Sequence, residues 1–256
     1  MAESPYIAPN LTLRVGVTGH RPDKLAKGDV DIVKRQVIAV FKCLAETAHA
    51  IQQENDALGE TAPFAKSEPE LRLVTALAEG ADRICAEAAI SEGYRLNVVL
   101  PFLRKIYSED FDGEAQADFD RLCAHSAVQS LTELDVSRTP HDPKAYHVGG
   151  LLMLDHSDIL VTIWDGEPSS GLGGTAEIVE EAQRRGLILV LISPEGKASL
   201  WNAPVTALNE PEHGEWIPLN LDPEAEVCSE VLSQQVKNRL SLPVSERPAS
   251  ESEEPV

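Results

Sequence analysis

The chain has 256 residues, enough for one well-buried domain with or without an appendage, and its 43% hydrophobic content is ordinary for a globular protein. Its formal net charge is −20, from 42 acidic against 22 basic residues. That balance argues against nucleic acid as a partner, because phosphate contacts need clustered Lys and Arg, and the scattered acids read as a solvated surface.

Residues 1–10 are a proline-containing lead-in. The run 13–18 reads as a first strand, ended at Gly19-His20-Arg21-Pro22, where glycine permits a sharp turn and proline stops the strand. Val33, Val37, Val40, Phe41, Leu44, Ala48 and Ile51 recur at three- and four-residue steps and predict one long helix. Residues 54–69 are polar and read as a surface loop. The run 71–77 predicts a second strand, followed by the turn Ala78-Glu79-Gly80-Ala81-Asp82 and a helix carrying Ile84, Cys85, Ala88 and Ala89, closed by Gly93. The third strand spans 96–100 and ends at Pro101-Phe102.

An acidic helix around Phe119, Leu122 and Cys123 follows, then a short apolar run, 128–134, that suits a small strand. Asp142-Pro143 reads as an N-cap with proline at the first helical position. Tyr146, Gly149, Gly150 and Met153 fall on one face of that helix, and the small residues imply tight packing. Residues 158–164 form a β-branched buried strand, 165–174 a glycine-rich loop, and Ile178, Val179 and Ala182 one face of the next helix. The run 187–192 is apolar throughout, as a strand covered on both faces is. Residues 193–223 read as irregular with an edge strand at 216–219, and a last helix holds Val227, Val231 and Leu232. The region 11–240 is thus one domain, and 241–256, rich in Pro, Ser and Glu, reads as a disordered acidic tail.

No apolar run spans a bilayer and no signal peptide is evident. Cys43, Cys85, Cys123 and Cys228 lie far apart without metal-ligand spacing, so no metal is expected. The first three sit on apolar helical faces, read as buried free thiols, and suit a reducing cytoplasm.

Strands alternating with helices predict an α/β fold with a parallel sheet. Right-handed crossovers give the order third, second, first, 158–164, 187–192. That order reverses between the first strand and 158–164, and ligands bind at such switch points. Thr18-Gly19-His20-Arg21 is thereby brought beside Gly171–Thr175. Gly173 and Gly174 offer backbone N–H groups to an anion at a helix N-terminus, phosphate above all. Arg21 is a bidentate phosphate candidate. His20 either donates to a phosphate, stacks on a base, or is satisfied by backbone in its turn. Thr175 is read first as the helix cap and also as a phosphate ligand. Glu177 either bonds back to a Gly174 cap or faces the crevice, to accept from ribose hydroxyls or act on an anomeric carbon. Glu79, Gly80 and Asp82 are candidates for ribose or base contacts, Asp82 with helix capping as its simpler use. Asp165 binds a hydroxyl or begins a turn.

Several stretches together carry a family resemblance: Val15 through Arg21, Ala78 through Arg83, Val99-Leu100-Pro101-Phe102, His156-Ser157-Asp158, Trp164-Asp165-Gly166 and Gly171 through Glu177. Over roughly residues 11–193 the chain resembles the SLOG superfamily, the Rossmann-like domains related to the cytokinin-activating phosphoribohydrolases and to DNA-processing proteins. The resemblance implies a doubly wound, mostly parallel sheet of five to seven strands flanked by helices. It implies binding or sensing of a nucleotide-derived signal, with bacterial conflict or antiphage signalling as a setting, and adds Pro101 and Gly166 to the ligand-binding set. No other cofactor is implied. A homo-oligomer is expected, with an effector partner or a further C-terminal segment. The alternative implied activity is cleavage of a nucleotide N-glycosidic bond with Glu177 catalytic. The hydrolases read Gly-Gly-x-Gly-Thr-x-x-Glu, whereas Gly173-Gly174-Thr175-Ala176-Glu177 is one residue shorter from Thr to Glu.

Overall fold

Eight strands, β1 (Thr12–Gly19), β2 (Glu70–Thr75), β3 (Arg95–Leu100), β4 (Val128–Glu133), β5 (Ile159–Ile163), β6 (Ile188–Ile192), β7 (Ala198–Asn202) and β8 (Glu215–Pro218), form one sheet. Their order is β4-β3-β2-β1-β5-β6-β7-β8 in the computed structural model, which describes residues 7–25, 28–134, 143–168, 173–202, 214–221 and 228–240. β1 to β6 pair in parallel, and β7 and β8 are antiparallel additions at one edge. The helices are α1 (Pro22–Leu25), α2 (Val30–Ala57), α3 (Ala81–Ser91), α4 (Arg104–Tyr107), α5 (Gly113–Cys123), α6 (Pro143–Asp155), α7 (Thr175–Arg184) and α8 (Glu230–Leu240). The fold is α/β and Rossmann-like, and the five central strands stand in the expected order.

One strand was not expected. β7 lies where the sequence reads as irregular, so the sheet exceeds seven strands. Its signal is weak because only Ala198 and Leu200 of its five residues are buried. The turn that folds it back is tight: Gly196 has φ +74°, and the Ser193 N–H donates to Lys197 O at 2.9 Å.

The two faces of the sheet are covered differently. On one, the α2 stripe of Val33, Val37, Val40, Phe41, Leu44, Ala48 and Ile51 is wholly buried and packs with α3 over β1, β2 and β3. Asp29 caps α2, its Oδ1 accepting from Asp31 N and Ile32 N at 3.0 and 3.2 Å. On the other face α6 and α7 cover Val74, Val99, Leu160 and Leu189. Here the small residues of α6 act as anticipated. A Cβ on Gly16 of β1 would overlap Met153 Sδ, and one on Gly150 would overlap Ile178 Cδ1. Close approach of α6 to the sheet at Gly16, and to α7 at Gly150, is therefore built into the glycines.

The β1–β5 pairing, with Thr18 opposite Thr162 and Gly19 opposite Ile163, brings both strand ends level. At the far end Asp158 accepts from Arg14 N, Nε and Nη2 at 3.0–3.1 Å, which pins the register. Asp158 thus serves the sheet rather than the crevice.

Cys43 is not a free thiol, as the sequence suggests, but is bonded to Cys228 and ties α2 to the start of α8. Cys85 and Cys123 are free and buried. The disulfide removes the support that free thiols lent to a reducing compartment. Among the described residues no helix is long and apolar enough to cross a membrane, and no His/Cys/Asp/Glu cluster suits a metal. Residues 241–256, read as a disordered tail, lie outside the described residues, as do Asp142 and Val227.

Candidate functional site

Beyond the carboxyl ends of β1, β2, β3 and β5 lies a cavity of about 220 Å3. Four short segments and α6 make its walls, and each is held in place by identifiable bonds.

The β1 end is squeezed between its neighbours. A Cβ on Gly19 would stand 2.5 Å from Ala81 Cβ and 2.6 Å from Ile163 O, so only glycine fits. His20 follows, 5% exposed, its N–H donating to Ile163 O at 2.9 Å and its carbonyl accepting from Ala81 N at 3.0 Å. Its Nε2 stands 3.1 Å from the Asp165 N–H and 3.0 Å from Asp165 Oδ1. Burial lowers the imidazole pKa, against the opposing pull of the Asp165 carboxylate, so the ring is neutral at pH 7 and accepts from the Asp165 N–H. Asp165 Oδ1 accepts from Glu167 N at 3.1 Å, beginning a turn. Of the alternatives open to His20 and Asp165, the structure adopts the internal ones. Arg21 then emerges exposed on the cavity wall, its guanidinium 5.9 Å from the Phe111 ring centroid. Among the described residues no carboxylate lies within ion-pair distance of it.

The β2–α3 turn is strained and braced. Leu77, fully buried, holds φ at +54°, a costly conformation for a side chain of that size. Its N–H donates to Thr75 Oγ1 at 3.0 Å, and its carbonyl accepts from Arg83 Nε at 3.1 Å. Asp82 Oδ2 takes three donors, Thr75 Oγ1 at 3.1 Å, Ala76 N at 3.2 Å and Ala78 N at 3.4 Å. Asp82 is therefore not the helix cap that the sequence suggests. Gly80 caps α3 with φ +97°, and a Cβ there would lie 2.5 Å from His20 O. Burial raises the Asp82 pKa, partly offset by the charge of Arg21 and by its hydrogen bonds.

The N-terminus of α7 supplies the third wall. Gly174 is the cap, and among the described residues no side chain bonds the first N–H groups of the helix. Thr175 is the first helical residue, which corrects the expectation that it caps. Glu177 is the third helical residue, the position at which a Gly174 cap would let it bond back. Its Oε2 accepts from the Gly173 N–H, and its Oε1 lies 3.1 Å from His147 Nδ1 on α6. The carboxylate braces the loop ahead of α7, stands beside α6 without a hydrogen bond to His147 Nδ1, and does not line the cavity, so the ribose and anomeric roles are not what this geometry presents. Gly173, at φ +78°, lies against the first turn of α6, where a Cβ would stand 3.1 Å from His147 N.

Of the residues expected at the site, Thr18, Gly19, Arg21, Asp82, Pro101, Gly173, Gly174 and Thr175 line the cavity together. His20, Glu79, Gly80, Asp165, Gly166 and Glu177 lie behind or beside it, and Gly171 falls outside the described residues. Sequence reasoning missed Tyr107 and gave Tyr146, Gly149, Gly150 and Met153 only a packing role, yet all five line the cavity. Tyr146 donates to Asp110 Oδ2 and packs edge-on to Phe102. The spacing of Tyr146, Gly149, Gly150 and Met153 was the signal available.

The fold and this site define a Rossmann-like domain with a glycine-capped helix N-terminus at a switch point. No family model matches the chain, and no curated protein matches it. Among solved structures, DNA processing protein A (DprA) from Streptococcus pneumoniae is 16% identical, at a TM-score of 0.43 over 79% of this chain and 55% of that one. DprA from Helicobacter pylori is 14% identical, at a TM-score of 0.39 over 70% and 64% respectively. The chain thus matches little more than half of the first of these proteins. The expectation that net acidity excludes nucleic acid is corrected here. Both neighbours are DNA processing proteins, and the H. pylori one is described by its single-stranded DNA binding mode.

Proposed function

We propose that the chain binds a phosphorylated, nucleotide-derived ligand in this cavity and acts as a sensor rather than a hydrolase. The observation that carries the reading is the N-terminus of α7, where among the described residues no side chain takes the N–H groups of Gly174 and Thr175, with Arg21, in no ion pair among the described residues, lining the same cavity. Free helix N–H groups and a planar guanidinium are complementary to phosphate oxygens. The sensor reading is supported by Glu177, whose carboxylate bonds the Gly173 N–H and lies outside the cavity lining. A signalling setting in bacterial conflict, a homo-oligomeric state and an effector partner belong to the same reading and rest on the SLOG resemblance alone.

The test is a thermal-shift screen of ribonucleotides, cyclic and dinucleotides, the parent nucleosides and a single-stranded oligonucleotide. At least one phosphorylated ligand should raise Tm while its nucleoside does not. A flat screen at millimolar ligand would sink the proposal, and a shift by the oligonucleotide alone would replace it with a nucleic-acid surface.

A further inference from the structure

Two polar groups on the β2 side of the cavity are left over by everything described so far. The first is Asp82 Oδ1. All three donors to this carboxylate go to Oδ2, and among the described residues none bonds Oδ1. Asp82 is 6% exposed and lines the cavity, and Oδ1 is not among the atoms sealed in the interior without a partner. The second is the Tyr107 hydroxyl. Tyr107 is 1% exposed, lines the same cavity, and has no hydrogen-bond partner among the described residues. Its ring is fixed by edge-on contacts with Phe111 and Phe119, at centroid distances of 5.1 and 5.6 Å. Burial raises the phenol pKa far above its usual value, so the group keeps its proton and donates. A buried polar group without a partner costs free energy unless something bonds it, and both of these open onto the cavity.

We propose that Asp82 Oδ1 and the Tyr107 hydroxyl form a diol subsite, which takes the vicinal hydroxyls of a ribose whose phosphate lies at the α7 N-terminus and Arg21. The inference rests on the phosphate reading above and names the part of the ligand next to the phosphate. Position supports it: the β2–α3 turn and the β5–α7 loop flank β1 on either side and line one cavity, two strand spacings or about 10 Å apart, a span on the scale of one sugar phosphate. Chemistry supports it as well. A hydroxyl both donates and accepts, so a vicinal pair satisfies an acceptor and a donor together. An ammonium would satisfy Asp82 but would offer Tyr107 no acceptor and would stand beside Arg21. Size agrees: about 220 Å3 falls below the roughly 300–1,000 Å3 of sites that enclose a drug-sized ligand, which suits a ribose phosphate with its base at the mouth. The ligand class is therefore a ribonucleoside 5′-phosphate or sugar phosphate with free 2′ and 3′ hydroxyls. A site built to bond a hydroxyl rejects the analogue that lacks it, because its own groups are then left unpaired.

The experiment is calorimetric titration with ribose 5-phosphate and 2-deoxyribose 5-phosphate, which removes any dependence on the base. Wild type is compared with Asp82→Asn and Tyr107→Phe, with folding checked by circular dichroism. Wild type should bind the ribo sugar at least tenfold more tightly, and each variant should bring the two sugars to within about threefold. Asp82 also braces the Leu77 turn. If Asp82→Asn does not fold, Tyr107→Phe and the wild-type ratio still decide. Equal binding of both sugars by wild type would overturn the diol subsite and leave the phosphate reading standing. Discrimination that survives in both variants would overturn the assignment to these residues. Binding of neither sugar, nor of inorganic phosphate, would overturn both readings.

Discussion

Replacing Glu177 separates a structural brace from a catalytic carboxylate. Glu177 accepts from the Gly173 N–H and stands 3.1 Å from His147 Nδ1, with both side chains about a quarter exposed. Glu177→Ala removes a hydrogen bond to a charged acceptor, worth about 1.5–3 kcal/mol, and an acid in the first turn of α7, worth about 0.3–1 kcal/mol. Partial exposure puts the sum near the lower end, about 2 kcal/mol. Glu177→Gln keeps an oxygen for Gly173 and loses only the charge, so about 1 kcal/mol is expected. For a chain of this size each kcal/mol moves Tm by roughly 2–4 °C. The alanine variant should therefore melt about 4–8 °C lower and the glutamine variant about 2–4 °C lower. Neither should change the release of free base from nucleoside monophosphates, which should be absent in wild type. Thermal melting and chromatography of the incubated nucleotide measure the two quantities. An alanine variant as stable as wild type, together with base release that either change abolishes, would refute the brace and establish a hydrolase.

Arg21→Ala should weaken a phosphorylated ligand by about 1.5–3 kcal/mol, roughly 10- to 150-fold, while Tm stays within a degree or two, because among the described residues its exposed side chain makes no ion pair and only a distant cation–π contact, 5.9 Å from the Phe111 centroid. Unchanged affinity in titration calorimetry would remove Arg21 from the site. His20 is held neutral by burial, so its folded pKa lies below the unfolded value of 6.5. Its contribution is whole above pH 6.5 and is lost as pH falls from there through the lowered folded pKa, because the unfolded chain takes up the proton first. The Tm difference between wild type and His20→Gln should shrink over that interval, and a difference independent of pH would show the imidazole to be ordinary. The Cys43–Cys228 bridge closes a separation of 185 residues, worth about 5 kcal/mol in a chain-entropy account. Full reduction should lower Tm by roughly 10–20 °C, and an unmoved Tm in protein shown to be reduced would disprove the bridge's role.

The centre of the sheet was legible because its strands are largely buried apolar runs separated from one another by helices, and right-handed crossovers then leave few arrangements. The edge was not: β7 has five residues and buries two, a pattern that a loop shares. Glycines spoke clearly where two backbones meet, as at Gly19 and Gly80, and where a helix packs close on a neighbour's side chain, as at Gly150, since the lack of a side chain is itself the signal. Polar residues spoke less clearly. Asp82 at the second position of α3 and Thr175 at the first of α7 each differ from a capping role by one or two residues, a shift that sequence does not resolve. Glu177 looked like a crevice carboxylate because its neighbour His147 comes from a helix 30 residues earlier in the chain. The bond between Cys43 and Cys228 was hidden by its span, and Tyr107 by its place on the four-residue helix α4.

The central claim is that phosphate is held by the backbone at the start of α7. Amide-resolved NMR titration reads this directly, with the ribonucleotide that gives the largest thermal shift. The largest shift changes should fall on the amides of Gly174 and Thr175, whose N–H groups have no side-chain partner among the described residues, with smaller ones at Thr18–Arg21, and should vanish with the parent nucleoside. Saturable changes confined to other parts of the sheet, such as the β7–β8 edge, with the α7 amides unmoved, would contradict it.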